Sequence, residues 1–221
     1  LAPSAAIAAS SVIDYEGLPA PRNYYDTIGT IITPEAWQAL RGPGCRDHRV
    51  PENTPKLIAE RASTIFAAKT GSAKEEEAAR LSAGAWIWYA RDDADEAAAA
   101  ATAAAMTSRE RATFVSTREL ATAWNGGGLY GPNSKPHSVD RHRNPPVLVI
   151  ADLGASSMRE EAIALIELLG DRRRHKRSTL FASTFTGKSL ARALEAAGSN
   201  SDQVRQLIAL ISAGVREGRQ P

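Results

Sequence analysis

Cysteine is nearly absent from this sequence of 221 residues, since Cys45 is the only one. A single thiol cannot form an intrachain disulfide or a thiolate metal site, and this scarcity fits a protein of the reducing cytosol. No apolar run approaches the roughly 18 residues that cross a bilayer. The first segment, Leu1–Ala9, lacks the basic flank of a signal peptide. We therefore expect a cytoplasmic protein without a membrane segment.

Metal-binding and nucleophile motifs are also missing. The four histidines are His48, His137, His142 and His175. None of them stands in HExxH or CxxC spacing, so we expect no metal site. No G-x-S-x-G or Cys/His arrangement indicates a catalytic nucleophile. The net charge of +2 allows a nucleic-acid partner without demanding one, and 43% hydrophobic residues suffice for a buried core.

Proline is concentrated at one end of the chain, because residues 1–55 hold seven of the twelve prolines. Only Pro34–Leu40 looks helical there, so we expect an extended arm or docking segment. A helix is predicted to begin after Thr54, with Pro55 at the first helical position. The main domain is therefore predicted to span residues 56–221.

Short apolar runs alternate with helical patterns through that domain. The predicted strands are Ala85–Tyr89, Ala112–Ser116, Val147–Ile150 and Ser178–Ala182. The helical segments are Lys74–Arg80, Asp95–Met106, Thr117–Trp124 with Thr117 as its cap, one helix capped by Ser156 and Ser157, Ser189–Ala197 and Ser201–Ser212. Strands that alternate with helices indicate right-handed βαβ units, and hence an α/β fold with a parallel sheet.

The order of these elements resembles one family, the AAA+ helicase loaders of the DnaC type with the related IstB transposition ATPases, over roughly Gly44–Arg216. Val147–Ala155 is similar to the family's apolar strand that ends in an acidic pair, Leu or Ile, and Gly. Gly84–Trp88 occupies the strand that leads into the family's Walker A loop, and Phe114–Leu120 and Thr179–Thr184 match later strands. The resemblance implies a P-loop NTPase-like (AAA+/RecA-like) parallel sheet flanked by helices.

The Walker A loop implied by this resemblance is degenerate. Such a loop needs glycines that let backbone N–H groups wrap phosphates, a lysine, and a hydroxyl for Mg²⁺. Here the glycine positions hold Tyr89 and Ala94, the lysine position Asp95, and the hydroxyl position Glu96. Together with Asp92 and Asp93, four carboxylates stand at a helix N-terminus. They favour the helix dipole but repel a triphosphate.

The other family positions are altered as well. Ala151 replaces the Walker B aspartate that holds Mg²⁺, which leaves Asp152 at the catalytic acid position. Thr184 stands where the family has its sensor asparagine. Arg205 matches the first of two late arginines, and Ala209 replaces the second. The resemblance therefore implies a pseudo-ATPase with no catalytic residues and no cofactor.

A second segment competes for the phosphate-binding role. Ala182–Ser189 satisfies the relaxed pattern [AG]xxxxGK[ST] between a strand and a helix. Gly187, Lys188 and Ser189 would then bind ATP with Mg²⁺. However, Phe185 and the threonines beside it are poor substitutes for a glycine-rich loop. This segment remains the alternative site.

A dense basic run, Arg172–Arg177, is predicted at a helix C-terminus. The candidate nucleic-acid or partner contacts are Arg172, Arg173, Arg174, Lys176 and Arg177, with Arg141 and Arg143 nearby. Such side chains can bind phosphates. The alternative is a solvated helix end that matches the negative pole of the dipole.

These features predict a catalytically inactive protein that acts as an assembly or interaction subunit in DNA replication or transposition. Its expected partners are a replicative helicase, a homologous AAA+ ATPase or DNA, within an oligomer or larger complex. One alternative is an active ATP-dependent helicase loader with nucleotide at Gly187–Ser189. Another is an inhibitory decoy of an active homologue.

Overall fold

The computed structural model describes residues 50–124 and 140–218. Its helices are α1 (Lys56–Ala68), α2 (Gly71–Ser82), α3 (Ala94–Ala105), α4 (Thr117–Trp124), α5 (Asp140–Arg143), α6 (Glu161–Arg174), α7 (Gly187–Ala196) and α8 (Ser201–Glu217). Its strands are β1 (Trp86–Ala90), β2 (Ala112–Ser116), β3 (Val147–Ala151) and β4 (Ser178–Ser183). In these ranges, no helix is both long and apolar enough to cross a membrane.

The four strands form one sheet in the order β1-β4-β3-β2, and every pairing is parallel. Trp86 of β1 lies opposite Thr179 of β4, and Val147 of β3 lies opposite Ser178. The two central strands, β3 and β4, are buried at every position. They are buried because helices cover both faces of the sheet; β3 is apolar throughout, whereas β4 also carries Ser178, Thr179 and Ser183. The predicted α/β class, with a parallel sheet flanked by helices, is confirmed.

The helices divide between the two faces of the sheet. Helices α1 and α3 cover one face, and α4, α6, α7 and α8 cover the other. Eight residues of α3 are buried, seven of them alanines. A helix that is apolar on nearly all sides belongs in an interior. Its small side chains let α3 lie between α1 and the sheet, so the alanine-rich segment is an internal layer.

The packed domain begins before the predicted boundary at residue 56. Pro51 and Thr54 are buried, and Val50 packs against the core. The backbone of Glu52 extends the sheet beside β2: its N–H donates to the Ala112 carbonyl at 2.9 Å, and its carbonyl accepts from Phe114 N–H at 2.8 Å. Residues 50–55 therefore belong to the domain, whereas the rest of the proposed arm lies outside the described residues.

Two predicted helix caps are wrong. Thr117 is the first residue of α4 rather than its cap, and its hydroxyl donates to the Asp152 carbonyl at 2.8 Å. Helix α6 begins at Glu161, after the predicted serine caps, and the Ser156 hydroxyl instead contacts the Glu161 carboxylate. Both side chains hold the connection that follows β3. Serine and threonine hydroxyls can satisfy either role, so their position alone did not settle it.

Candidate functional site at the carboxyl edge of the sheet

Ligands of parallel α/β folds bind at the carboxyl edge, where adjacent strands send their connections to opposite faces. Strand β1 leads into α3 on one face, and its neighbour β4 leads into α7 on the other. Ala90 and Ser183, which lie opposite each other in the register, end these two strands. The crevice beyond them is the candidate site, and it lies where the sequence placed both phosphate loops.

The segment that the resemblance aligns with a Walker A loop is short and makes internal contacts. Only three residues, Arg91–Asp93, connect β1 to α3. The Asp93 carboxylate caps the helix by accepting a hydrogen bond from the Glu96 N–H at 2.9 Å, and the Arg91 N–H donates to the Ser183 carbonyl. Arg61 of α1 lies 3.7 Å from Asp93 and 3.6 Å from Asp95. Side-chain oxygen thus occupies a position at the helix N-terminus that a phosphate would need.

Asp152, which the resemblance aligns with the Walker B acid, lies near other carboxylates. Asp152 directly follows β3 in the left-handed region, with φ of 58°. Partial burial raises its pKa, and the charges of Asp95 and Glu119 raise it further. Ala151, at the metal-ligand position, is buried and offers no side-chain donor. Among the residues the structure describes, no group of three or more His, Cys, Asp or Glu side chains is placed to hold a metal ion.

The alternative phosphate loop before α7 is also occupied by internal contacts. The Ser189 hydroxyl accepts from the Thr186 N–H at 2.9 Å and donates to the Thr186 carbonyl at 2.7 Å, so it caps the helix. The ring of Phe185 packs so closely on Gly154 that an added Cβ there would lie 2.9 Å from it. Lys188 is exposed. The loop is therefore anchored to the β3 connection, and Lys188 is its exposed cationic side chain.

The other two residues singled out by the resemblance, Thr184 and Arg205, lie after β4 and on α8. Thr184 follows β4 and is exposed, while the Ser183 hydroxyl before it donates to the Leu153 carbonyl at 2.7 Å. Arg205 lies on α8, where an ion pair of 2.9 Å joins it to Asp202. Both side chains of this pair are exposed, so it stabilises the helix surface only weakly.

One buried carboxylate at this edge was not found from the sequence. Glu161 is 1% exposed and accepts a hydrogen bond from the Gly154 N–H at 2.7 Å. It also contacts the Ser156 hydroxyl. Burial raises its pKa, and these hydrogen bonds partly oppose that shift. Glu161 fixes the β3–α6 connection. The sequence signal for its burial is spacing, since it lies four residues before Leu165 and seven before Leu168 on the buried face of α6.

Arg172 is not available to a nucleic acid, so its assignment as a contact is corrected. It is fully buried, and its guanidinium donates to six oxygens. These are the Thr179 hydroxyl and the carbonyls of His142, Arg143, Pro145, Pro146 and Ser178. Burial lowers the pKa of Arg172 to about 9, which leaves it charged at neutral pH. It joins α6, the entry to β3 and the start of β4.

The other basic residues lie around the amino edge of the sheet, where the strands begin. The two candidate phosphate loops are at the opposite, carboxyl edge. Their contacts are Arg173 with Glu217, Arg174 with Asp171, Arg177 with the Arg143 carbonyl, Arg143 with Glu167, and Arg141 with the His142 ring. Lys176 and Arg141 are exposed. His142 is buried, which lowers its pKa to about 3 and keeps it neutral. Ion pairs therefore compensate part of the positive charge of Arg172–Arg177. Fewer of its cations are available to a partner than the sequence implies.

The chain was compared with protein-family models and with curated protein sequences, and neither comparison gives a match.

Proposed function

We propose that this chain is a non-hydrolysing relative of the AAA+ helicase loaders of the DnaC and IstB type. It acts as an assembly or interaction subunit in DNA replication or transposition. One observation supports the absence of ATP hydrolysis, which is the first half of this proposal. The Asp93 carboxylate caps α3 by accepting a hydrogen bond from the Glu96 N–H at 2.9 Å, at the helix N-terminus where a P-loop would bind phosphate. The parallel sheet with helices on both faces is compatible with a P-loop-like fold.

Electrostatics supports the loss of nucleotide binding. Asp93 and Asp95 share one arginine, Arg61, so the loop carries more negative than positive charge. Two like charges 4 Å apart repel by about 4 kcal/mol at an effective dielectric constant of 20. A single uncompensated contact of that size would weaken binding of a triphosphate by about three orders of magnitude. The three-residue connection also supplies too little backbone to wrap the phosphates.

Thermal unfolding with and without 1 mM ATP and Mg²⁺ tests this half. A ligand at 100 times its Kd stabilises a protein by about 2.7 kcal/mol. For a domain of this size that is a rise in Tm of about 5–11 °C. We expect a shift below 1 °C and no phosphate release. A shift of several degrees would refute the proposal.

The active-loader alternative depends on Lys188, which is exposed beside the same crevice. If ATP raises the Tm and Lys188→Ala abolishes the rise, the nucleotide binds at Gly187–Ser189 and the alternative is correct. Arg192→Ala, which removes an exposed charge from the same helix, is the matched control. The decoy alternative predicts instead that the chain inhibits an active ATPase of this type when the two are mixed.

The DNA half of the proposal is supported by the amino edge. Arg174 and Lys176 are exposed there, and Arg141 is exposed on the neighbouring α5. Phosphate contacts of this kind supply most non-specific affinity for DNA and make it salt-dependent. Binding of a labelled DNA strand across a range of salt concentrations tests this half. DNA affinity that is absent at 50 mM salt would leave only the protein-interaction role.

A further inference from the structure

A cavity of about 770 Å³ opens at the amino edge of the sheet, away from both phosphate-loop positions. It lies where β1 begins and where α2, α6 and α8 end. Residues from all of these elements line it, including Arg80 of α2, Arg173 of α6 and Glu217 of α8. Neither the family resemblance nor the carboxyl-edge site gives this cavity a role.

Glycines bring the walls of the cavity together. A Cβ on Gly84, whose φ is 81°, would lie 2.2 Å from the Lys176 carbonyl oxygen. A Cβ on Gly218 would lie 2.8 Å from the Trp86 carbonyl oxygen. Neither position accepts a side chain without moving backbone. The ends of α2, α6 and α8 therefore pack closely on one another, and main chain and small residues form the bottom of the cavity.

Three cationic side chains from three segments line this space: Arg80, Arg173 and Lys176. Arg80 donates to the Gly218 carbonyl at 3.3 Å, which orients its guanidinium beside the cavity. Lys176 is exposed, and no ion pair joins it to another described residue. Arg guanidinium groups bind phosphate oxygens in a bidentate manner, and a lysine adds a point charge.

Two carboxylates, Glu76 and Glu217, also line the cavity, so the cations exceed them by one. Glu217 pairs with Arg173, but 38% of the Arg173 side chain and 61% of the Glu217 side chain are exposed. Such exposed pairs contribute little, so an incoming anion can replace Glu217 on Arg173. The arrangement fits an anionic ligand that exchanges with an internal carboxylate.

We infer that this cavity binds phosphate groups of a nucleic-acid strand through Arg80, Arg173 and Lys176. The inference rests on the proposed function for the class of partner, since the basic surface around the cavity includes the exposed Arg174. It adds to that function a defined site, to which Arg80 contributes from outside the basic run. Arg172, which is buried, does not take part.

The test uses the full chain and a fluorescein-labelled 20-nucleotide DNA, single-stranded and duplex, in anisotropy titrations from 50 to 200 mM salt. We expect Arg80→Gln with Lys176→Gln to weaken binding about tenfold or more at 50 mM salt. The slope of log K against log[salt] should shrink by about 0.7 per lost contact on single strands, or about 0.9 on duplex. The double variant Arg118→Gln with Arg192→Gln removes two exposed charges elsewhere and should change neither quantity as much.

Glu217→Gln gives the opposite sign, because it frees Arg173 for the ligand. We expect it to raise affinity severalfold, whereas Glu195→Gln, which removes an exposed carboxylate from α7, should have little effect. Equal gains in the two variants would assign the effect to overall charge and overturn the site. Lys176→Gln alone keeps the test valid if loss of the Arg80 contact reduces stability.

The outcomes separate this inference from the proposed function. If the parent binds DNA and the cavity variants bind as the parent does, the cavity is refuted and the DNA-binding role stands. If the parent binds neither form of DNA, the cavity site and the DNA-binding role are both refuted. The ATP titration tests the loss of nucleotide binding independently of that result. Inorganic pyrophosphate is the third probe. Binding of pyrophosphate that depends on Arg80 and Lys176, without any DNA binding, would reassign the site to a free phosphate compound and overturn the nucleic-acid inference.

Discussion

Arg172 gives the sharpest prediction about stability. We expect Arg172→Met to destabilise the fold strongly, because methionine fills part of the space but leaves six oxygens without their donor. Some of these oxygens keep a second partner, since the Pro146 carbonyl also accepts from the Ser178 N–H at 3.0 Å. A buried acceptor left unsatisfied costs about 1–3 kcal/mol, and several are left here, so we expect a total loss of about 3–5 kcal/mol. That is a large share of the 5–15 kcal/mol that stabilises a typical domain.

The measurement is urea and thermal unfolding of Arg172→Met, Arg172→Lys and Arg174→Met. The first variant should lose about 6–20 °C in Tm. Lysine keeps the charge but not the planar fork, so Arg172→Lys should fall between the first variant and the parent. Arg174 is the matched control, because its side chain is 73% exposed and forms one pair with Asp171 at 3.1 Å, worth about 0.5 kcal/mol or less. A loss below 1 kcal/mol in Arg172→Met would refute the view that the guanidinium holds the amino edge together.

Three further predictions concern single side chains. Asp152→Asn should stabilise the protein at pH 7, because the raised pKa makes ionisation of Asp152 unfavourable in the folded state. Asparagine also tolerates the positive φ at this position. The penalty develops as the pH rises above the ordinary aspartate pKa, so urea unfolding near pH 3 should show no difference, and equal stability at pH 7 would contradict the argument. Gly214→Ala should lower the free energy of unfolding by about 1–3 kcal/mol, since its Cβ would lie 2.1 Å from the ring of Trp86, which donates to the Arg177 carbonyl. Gly170→Ala, with open space around it, should instead stabilise α6 by about 0.5–1 kcal/mol. Equal changes of Tm in the two variants would exclude the steric explanation. Asp93→Ala should lower the free energy of unfolding in urea by about 1 kcal/mol, and Asp93→Asn by only about a few tenths of that, because asparagine also caps helices. Equal losses in the two variants would show that the charge of Asp93 matters rather than the cap.

The core strands could be predicted from the sequence because β3 is an uninterrupted apolar run and β4 has the short apolar run Leu180–Ala182 between two helical patterns. Ser178–Ala182 and Val147–Ile150 were each placed within one residue of the observed ends. The strand order was not predicted, since it depends on which strands pair across the chain rather than on any local pattern. The acids at the start of α3 indicated a helix N-terminus, and Asp93 caps it as such residues do.

Helical spacing separates Arg172 from the rest of the basic run, because it lies seven residues after Leu165 and four after Leu168, on the buried face of α6. That spacing indicates burial, but it does not show what would satisfy a buried guanidinium. Only the carbonyls converging from the entry to β3 and from the start of β4 make a buried site for Arg172 favourable. Glu161 is comparable, because its partners come from the connection that follows β3. Long-range contacts decide both cases.

The two edges of the sheet differ in how their polar groups are satisfied, and this difference connects stability with the proposed role. At the carboxyl edge, Asp93, Glu161 and Ser189 direct their side chains to backbone groups of their own connections. Each such contact stabilises the fold and also removes a donor, an acceptor or space that a nucleotide would require. A substitution that favours the helix cap therefore disfavours the ligand at the same position. At the amino edge, Lys176 and Arg174 remain exposed, and Lys176 lines an open cavity. Binding there displaces only the exposed pair of Arg173 with Glu217. For that reason we expect partner binding at the amino edge to tolerate changes at Asp93 and Asp95 that destabilise the opposite edge.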